Sequence, residues 1–277
     1  MADQQLRDLV TTREAAAILG VGTTSIKRWA DSGQLPCVRT AGGHRRFRRS
    51  AVLAFRRMGI DELAETEVSA DPAWIDAWIA RLSSDRYDED DIAQELVRDR
   101  EGRESWAAVA DELGGVLDEL GRRWTAGELS VIEEHLVSAR LSRAATKIAR
   151  PRPPEQAPRA LLVAALSDEH VLGLSLCELV LREYRWAPVW LGTRAPTADL
   201  CAFIARRRPR MVVMSASAYS TDGPSLSAQA ERIGDACWQV GAQLVVGGRG
   251  HWPSALSHGQ RLFRFTELAD LLTQADE

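Results

Sequence analysis

The sequence has little with which to staple, anchor or export a chain. Its 277 residues hold four cysteines, Cys37, Cys177, Cys201 and Cys237, scattered and without a CxxC pair. That spacing argues against a disulfide framework or a zinc site and points to a reduced, cytoplasmic compartment. The apolar run Leu161 to Leu166 falls far short of the roughly 18 residues a membrane span needs, so no membrane partner is expected. The start, Met1-Ala2-Asp3-Gln4-Gln5, is polar and shows no signal-peptide core. No internal repeat is visible. No nucleophile stands beside a matched base, so the chain is not expected to be an enzyme.

A dominant charge is also missing. Hydrophobic residues make up 45% and charged residues 27%, the balance of an ordinary soluble globular chain, and the formal net charge is only −4. The total conceals a division. Residues 1–60 hold eleven Lys/Arg against four acids, a net of +7, which leaves 24 against 35, or −11, for the rest. A basic head on an acidic body suits a polyanion-binding module joined to something that must not bind polyanions.

The length has room for two or three domains, and two breaks separate three segments. The first break is the acidic stretch Asp61-Glu62-Leu63-Ala64-Glu65-Thr66-Glu67, which leads into Asp71-Pro72, a cap and a first-turn proline. From Trp74 to Arg150 the apolar residues have helical spacing, as in Ile92, Leu96 and Val97, then Trp106, Val109, Leu113 and Leu117. The second break, Pro151 to Pro158, has four prolines in eight residues and reads as a semi-rigid linker. Beyond it, strand candidates Leu161–Leu166, Ala187–Leu191, Met211–Met214 and Gln243–Val246 alternate with helical stretches Gly173–Arg185, Ala198–Arg207 and Pro224–Val240. Strand–helix alternation at this interval predicts a doubly wound parallel sheet covered on both faces.

In the head, a helix is expected from Thr11 or Thr12 to about Leu19, then a Gly20-Val21-Gly22 turn. A second helix would run through Lys27, Arg28 and Trp29 to about Ser32. Cys37-Val38-Arg39 and Arg45-Arg46-Phe47 read as a hairpin, with Gly42-Gly43 supplying the positive φ angles of its turn. This run resembles the winged helix-turn-helix of the MerR family and its excisionase-like relatives over about residues 8–58. The resemblance implies binding of double-stranded DNA. The contact candidates are Lys27, Arg28, Arg39, His44, Arg45, Arg46 and Arg48, most of them to phosphates.

In the body, Asp168-Glu169-His170-Val171-Leu172-Gly173 follows the first strand of the α/β segment, where the ligand crevice of such sheets opens. His170 could offer a ring nitrogen to a metal, with Asp168 hydrogen-bonded to the other nitrogen. A loop histidine taken alone is ordinarily just solvated. Here Ser215 ends a later strand and Gly247-Gly248 ends another. The pattern resembles the cobalamin-binding fold, which implies His170 as the ligand beneath cobalt. Gly173 lets a large flat ligand approach the backbone closely, and the resemblance also implies a slot for the displaced nucleotide tail, lined by Ser215 and the Gly247-Gly248 pair. Ser217 departs from the family, which usually has an aliphatic residue there.

Trp124, separated by nine residues from Glu134-His135, resembles the helix-bundle cap of cobalamin-dependent light sensors of the CarH/LitR type. That resemblance implies Trp124 over the upper face of adenosylcobalamin, with Glu134 and His135 beside it. In well-known members the residue after the Trp is a histidine that captures cobalt after illumination; here it is Thr125. Either water or hydroxide remains above cobalt, or His135 moves in, or the occupant is haem or a bilin. The chain has nine tryptophans, and Trp186, Trp190, Trp238 and Trp252 of the α/β segment are expected mainly as packing.

The expected architecture is therefore an α/β multidomain chain. It has an N-terminal winged helix-turn-helix over residues 1–60, a four-helix bundle acting as cobalamin cap over 71–150, and a C-terminal doubly wound Rossmann-like cobalamin-binding domain over 159–277. The expected function is a light-responsive transcriptional regulator, a repressor, working as a dimer or tetramer. Adenosylcobalamin would promote the DNA-holding assembly and photolysis of its Co–C bond would release it. Three rivals stand beside it. A corrinoid subunit of a methyltransferase or mutase would have no use for the first 60 residues. A DNA-binding sensor of cobalamin level, haem or bilin would need no cobalt photochemistry. A degenerate domain serving only assembly would not need His170, Ser215 and Gly247-Gly248.

Overall fold

The computed structural model describes residues 9–19, 26–27, 30, 35–40, 43–49, 51–52, 71–149, 153–253 and 255–274. The expected turn at 20–22, Arg28, Trp29, Gly42 and the acidic stretch 61–67 lie outside them. The chain divides into two compact units, residues 1–67 with 121–130, and residues 68–120 with 131–277.

In the first unit, β1 (Leu9–Thr11), β2 (Cys37–Arg39) and β3 (Arg45–Arg48) form an antiparallel sheet in the order β1-β3-β2. The hairpin is as expected, with Arg39 opposite Arg45 and Gly43 at φ +78° in its turn. β1 is a correction: Leu9 to Thr11 pair with β3 before helix α1 (Thr12–Leu19) begins. Thr11 still caps that helix. Its hydroxyl accepts the Glu14 N–H at 3.2 Å and its own N–H donates to the Glu14 carboxylate at 2.7 Å, a reciprocal capping box. Phe47 is fully buried among Val10, Ala15, Ala16, Ile26, Leu35 and Val52. This small core holds the head together.

In the second unit, four helices come first: α2 (Pro72–Ser83), α3 (Glu89–Glu101), α4 (Trp106–Thr125) and α5 (Val131–Ile148). Asp71 caps α2 by accepting the Ala73 N–H, and Asp88 with Asp91 forms a capping box on α3. Ile92, Leu96, Val109 and Leu113 are buried as expected, whereas Val97 is 41% exposed on the outer face of α3.

The α/β part has β4 (Arg159–Ala164), β5 (Ala187–Gly192), β6 (Met211–Ser215), β7 (Gln243–Gly247) and β8 (Gln260–Arg261), all parallel in the order β5-β4-β6-β7-β8. Helices α6 (Leu172–Glu183), α7 (Thr197–Arg207), α8 (Gly223–Val240) and α9 (Phe265–Gln274) cover it. Successive strand residues enter opposite cores. Leu161, Val163, Val212 and Met214 pack in one, and Leu162, Ala164, Met211 and Val213 in the other. Neither β8 nor α9 was expected from the sequence. Trp186 and Trp252 are buried and Trp190 is partly exposed, but Trp238 is 69% exposed and stacks on His258 instead of packing inside. Burial pushes the Cys177 and Cys237 thiols up to about 12, so both act as small apolar side chains.

Two carboxylates join bundle to sheet by capping helices across the boundary. Glu183, at the end of α6, accepts the Trp106 N–H that opens α4 at 2.9 Å and pairs with Arg100 at 2.6 Å. Asp111, on α4, accepts the Phe265 and Thr266 N–H groups that open α9, at 2.6 and 3.2 Å. Buried donors at helix starts need such partners, so the bundle is fixed to the α/β part at two separate points. β4 is the switch point, with β5 on one side and β6 on the other. The loops that leave β4 and β6 therefore meet at the carboxyl end of the sheet.

Candidate functional site

The centre of the site is a carboxylate with every lone pair engaged. Asp168 is 2% exposed, and its Oδ1 accepts the His170 backbone N–H at 2.8 Å and lies 2.9 Å from His170 Nδ1. Its Oδ2 accepts the Ser217 N–H at 2.5 Å and the Ser220 hydroxyl at 2.6 Å. Burial alone would push this carboxyl up. The hydrogen bonds from His170, Ser220 and Ser217 outweigh it and hold Asp168 well below the usual carboxylate range. In turn the Asp168 hydrogen bond raises His170, against the opposing effect of burial, and the Asp168, Glu134 and Glu169 charges add to the rise.

With Nδ1 held by Asp168 and by the Ser217 hydroxyl at 3.1 Å, the other ring nitrogen, Nε2, makes no hydrogen bond to a described residue. The imidazole is 47% exposed, and the Tyr219 ring stacks on it at 4.9 Å and 17°. One face, one nitrogen and the ring plane are thus fixed, while the second nitrogen points out of the loop. This is how a histidine is prepared to hold a metal. Among the described residues no group of three or more His, Cys, Asp or Glu side chains is placed to hold a metal ion.

Beside the clamp, two glycines converge on one hydroxyl. A side chain added at Gly173 would come within 3.3 Å of Ser215 Oγ, and so would one at Gly248. Gly248 also has φ +85° and lies against the Ala216 carbonyl, so only glycine fits there. Gly247 differs: a side chain there would meet only ordinary contact with the Leu262 carbonyl. The result is a narrow cleft along Ser215 with bare backbone on both sides.

The bundle residues are placed unevenly. Glu134 is half-buried in the first turn of α5, accepts the Ser138 hydroxyl at 2.8 Å, and adds a negative charge felt by both His170 and Tyr219. His135 is 70% exposed and lies 3.6 Å from Glu134. Trp124, half-buried in the last turn of α4, belongs to the first unit and is described with it.

In the head, strand alternation separates the cations. Phe47 turns inward, so Arg46 and Arg48 take the opposite face of the three-stranded sheet. Arg39, Arg45 and His44 cluster at the hairpin end, and Lys27 is exposed beside the fully buried Ile26. Hydrogen bonds from Thr11, followed by the charges of Arg46 and Arg49, hold the Glu14 carboxyl below its usual range.

Sequence reasoning did not single out Ser220, Tyr219 or Gln229. Gln229 is buried on α8, and its side-chain oxygen accepts the Leu166 N–H at 3.2 Å, bracing the loop that carries Asp168. Only the adjacency of β4 and β6 brings the first two to Asp168 and His170.

Residues 9–59 match the family described as helix-turn-helix domain. Over 228 residues the chain is 26% identical to the HTH-type transcriptional repressor CarH of Myxococcus xanthus, a match covering 73% of this chain and 76% of that protein. The head is 42% identical over 55 residues to the transcriptional repressor DcmR of Methylorubrum extorquens, 20% of this chain and 21% of that one. Among solved structures, the Methanosarcina barkeri monomethylamine corrinoid protein is 14% identical with a TM-score of 0.49, covering 67% of this chain and 90% of that one. A cobalamin-binding protein from Desulfitobacterium hafniense is 15% identical with a TM-score of 0.33, covering 72% and 97%. The chain thus carries a helix-turn-helix domain at its amino end, and across most of its length it is similar to a transcriptional repressor that is itself of the HTH type.

Proposed function

We propose that the protein is a cobalamin-dependent transcriptional repressor whose hold on DNA responds to light, and that its role is regulatory, not catalytic. The carrying observation is the joining, in one chain, of a helix-turn-helix domain to a histidine clamped through Nδ1 by a buried aspartate. The similarity to the CarH repressor supports the same reading.

The residues fit the cofactor on two counts. His170 has the orientation and the available Nε2 of a lower ligand to cobalt, with the tautomer set by Asp168. Gly173, Ser215 and Gly248 leave the close backbone approach that a displaced nucleotide tail requires. When bound as adenosylcobalamin, the group supplies a cobalt–carbon bond that light cleaves.

The chain's own residues do the rest. Asp168 keeps the His170 ring in register. Ser217 and Ser220 keep Asp168 ionised. Glu134 and His135 of α5 would form the upper wall. A ligand shifts an assembly only if it binds one state better than the other, so the upper wall must differ between dark and lit states. Assembly into a homo-oligomer gathers several basic heads, and effective concentration converts weak phosphate contacts into tight occupancy.

The test is an absorption spectrum of the protein loaded with adenosylcobalamin, before and after green light, with DNA binding measured in both states. Loss of the alkyl-cobalamin bands together with weaker DNA binding is the expected result. A spectrum indifferent to illumination sinks the light response. Thr125 favours one second reading, a sensor of cobalamin level, haem or bilin in the same crevice. In that case DNA binding would follow ligand concentration and ignore light.

A further inference from the structure

The acidic body carries a basic edge that the sensor reading does not use. At the amino end of the parallel sheet, opposite the His170 crevice, Arg159 opens β4 and Arg210 immediately precedes β6. The two strands hold these residues side by side, because the Arg210 N–H donates to the Arg159 carbonyl at 3.0 Å. Arg206 and Arg207 end α7, Arg208 follows them, and Arg185 leads into β5. All six are exposed, and no ion pair is described for any of them. Glu183, at the end of α6, is already engaged by Arg100 and the Trp106 N–H.

A favourable position at helix ends explains Arg206 and Arg207. It favours the C-cap Arg208 as well, but it explains neither Arg159 and Arg210 beside the strand starts nor the left-handed backbone that Arg185 and Arg208 accept. The turns after α6 and α8 close with the same pair of hydrogen bonds. Trp186 N–H reaches the Leu181 carbonyl and Arg185 N–H reaches Arg182; Ala242 N–H reaches Cys237 and Gly241 N–H reaches Trp238. Both turns need one left-handed residue. After α8 it is Gly241, at φ +72°; after α6 it is Arg185, at φ +59°. The turn after α7 repeats the choice with Arg208 at φ +46°. The remaining left-handed residue other than glycine among the described ones, Arg194, is paired with Glu169 at the opposite end of the sheet. Keeping a large cation where glycine is easier implies that the side chain is wanted.

We infer that this arginine edge is a second, sequence-neutral binding surface for the phosphate backbone of duplex DNA. Arginine without lysine suits phosphate oxygens, which the guanidinium fork engages in pairs. The Arg206 and Arg207 guanidinium groups lie 5.4 and 5.5 Å over the Phe203 ring, so cations cover the aromatic side chain of this helix end. DNA is also the polyanion that the helix-turn-helix domain brings near. The inference rests on that domain and not on the cofactor.

The test uses the full chain without cobalamin and a fluorescent mixed-sequence duplex of about 40 base pairs, long enough to carry phosphates beyond one head. A variant combining Arg185→Gly, Arg208→Gly and Arg210→Gln removes three charges and gives two left-handed positions the residue they favour. Its thermal midpoint should be no lower than the parent's. The slope of log affinity against log salt should shrink by about two to three, at about 0.9 per phosphate contact. If the variant does not fold, Arg206→Gln with Arg207→Gln, on an exposed helix end, should shrink the slope by about two on the same scale. An unchanged slope in a folded variant overturns the proposal. So does an unchanged slope with a smaller oligomer, which would assign the edge to a second copy of the chain. Arg46→Gln, measured in parallel, reports on the head alone, so failure of the edge and failure of the head are separable.

Discussion

The two sheets of this protein put charge to use in different places. The antiparallel sheet of the head buries Phe47 on one face and carries Arg46 and Arg48 within the same strand on the other. The parallel sheet of the body is covered on both faces, so its strand interiors are apolar throughout, as in Ala160 to Ala164. Its polar chemistry is pushed to the strand ends, with the Asp168–His170 clamp at the carboxyl end and the arginines at the amino end. The head therefore offers DNA a surface, whereas the body offers a ligand a crevice.

The sharpest way to break that comparison is through the cores. Phe47 is fully buried and central to the head's small core, so Phe47→Ala should cost about 3–5 kcal/mol. A domain of this size holds only about 5 kcal/mol in reserve, so the head should unfold and operator-specific DNA binding should vanish. The cobalamin spectrum should persist, because the body has cores of its own. Operator-specific binding that survives Phe47→Ala would show that the head does not depend on this core. The next largest effect is expected from Asp168→Asn. One amide oxygen cannot replace two carboxylate oxygens that accept four hydrogen bonds, and cobalamin affinity in a titration should fall by about 10–100-fold. Unchanged affinity would mean that His170 needs no orienting partner.

A smaller effect tests the head's surface. Arg46→Gln and Arg48→Gln should each lower the salt slope of operator binding by about one, without altering thermal stability, since neither side chain enters the Phe47 core. A fall in stability would mean that these arginines are structural.

The same contrast explains what could be read from the sequence. The body's strands were legible because burial on both faces leaves continuous apolar runs, and each observed strand lies within about two residues of its expected bounds. Strand β8, two residues long, exists only through pairing with β7, and no local pattern announces it. β1 was hidden because Thr11 both ends a strand and caps a helix, and the capping signal is the louder of the two. The Asp168–His170 contact was legible because the two residues are neighbours in one loop. Ser220 lies 52 residues from Asp168, so its role depends on β6 settling beside β4, a choice made by the whole sheet. Likewise Gly248 was legible as part of a glycine pair, but only the Ala216 carbonyl beside it separates it from Gly247.

Tyr219 supplies the finest test, because it arrives from the second loop and touches His170 through its ring. It is 50% exposed, and stacking on the His170 imidazole at 4.9 Å is worth about 0.5–1.5 kcal/mol. Tyr219→Ala should therefore weaken cobalamin binding by about 2–10-fold on the scale of 1.4 kcal/mol per decade, a smaller loss than Asp168→Asn. Tyr219→Phe keeps the ring and should bind as the parent does. If alanine matches the parent, the Asp168 and Ser217 contacts alone set the imidazole plane. If phenylalanine loses as much as alanine, the phenol group and the Glu134 charge that it senses matter more than the stacked ring. Either result would move the control of His170 from one loop to another, since Asp168 comes from the loop after β4, Tyr219 from the loop after β6 and Glu134 from the bundle.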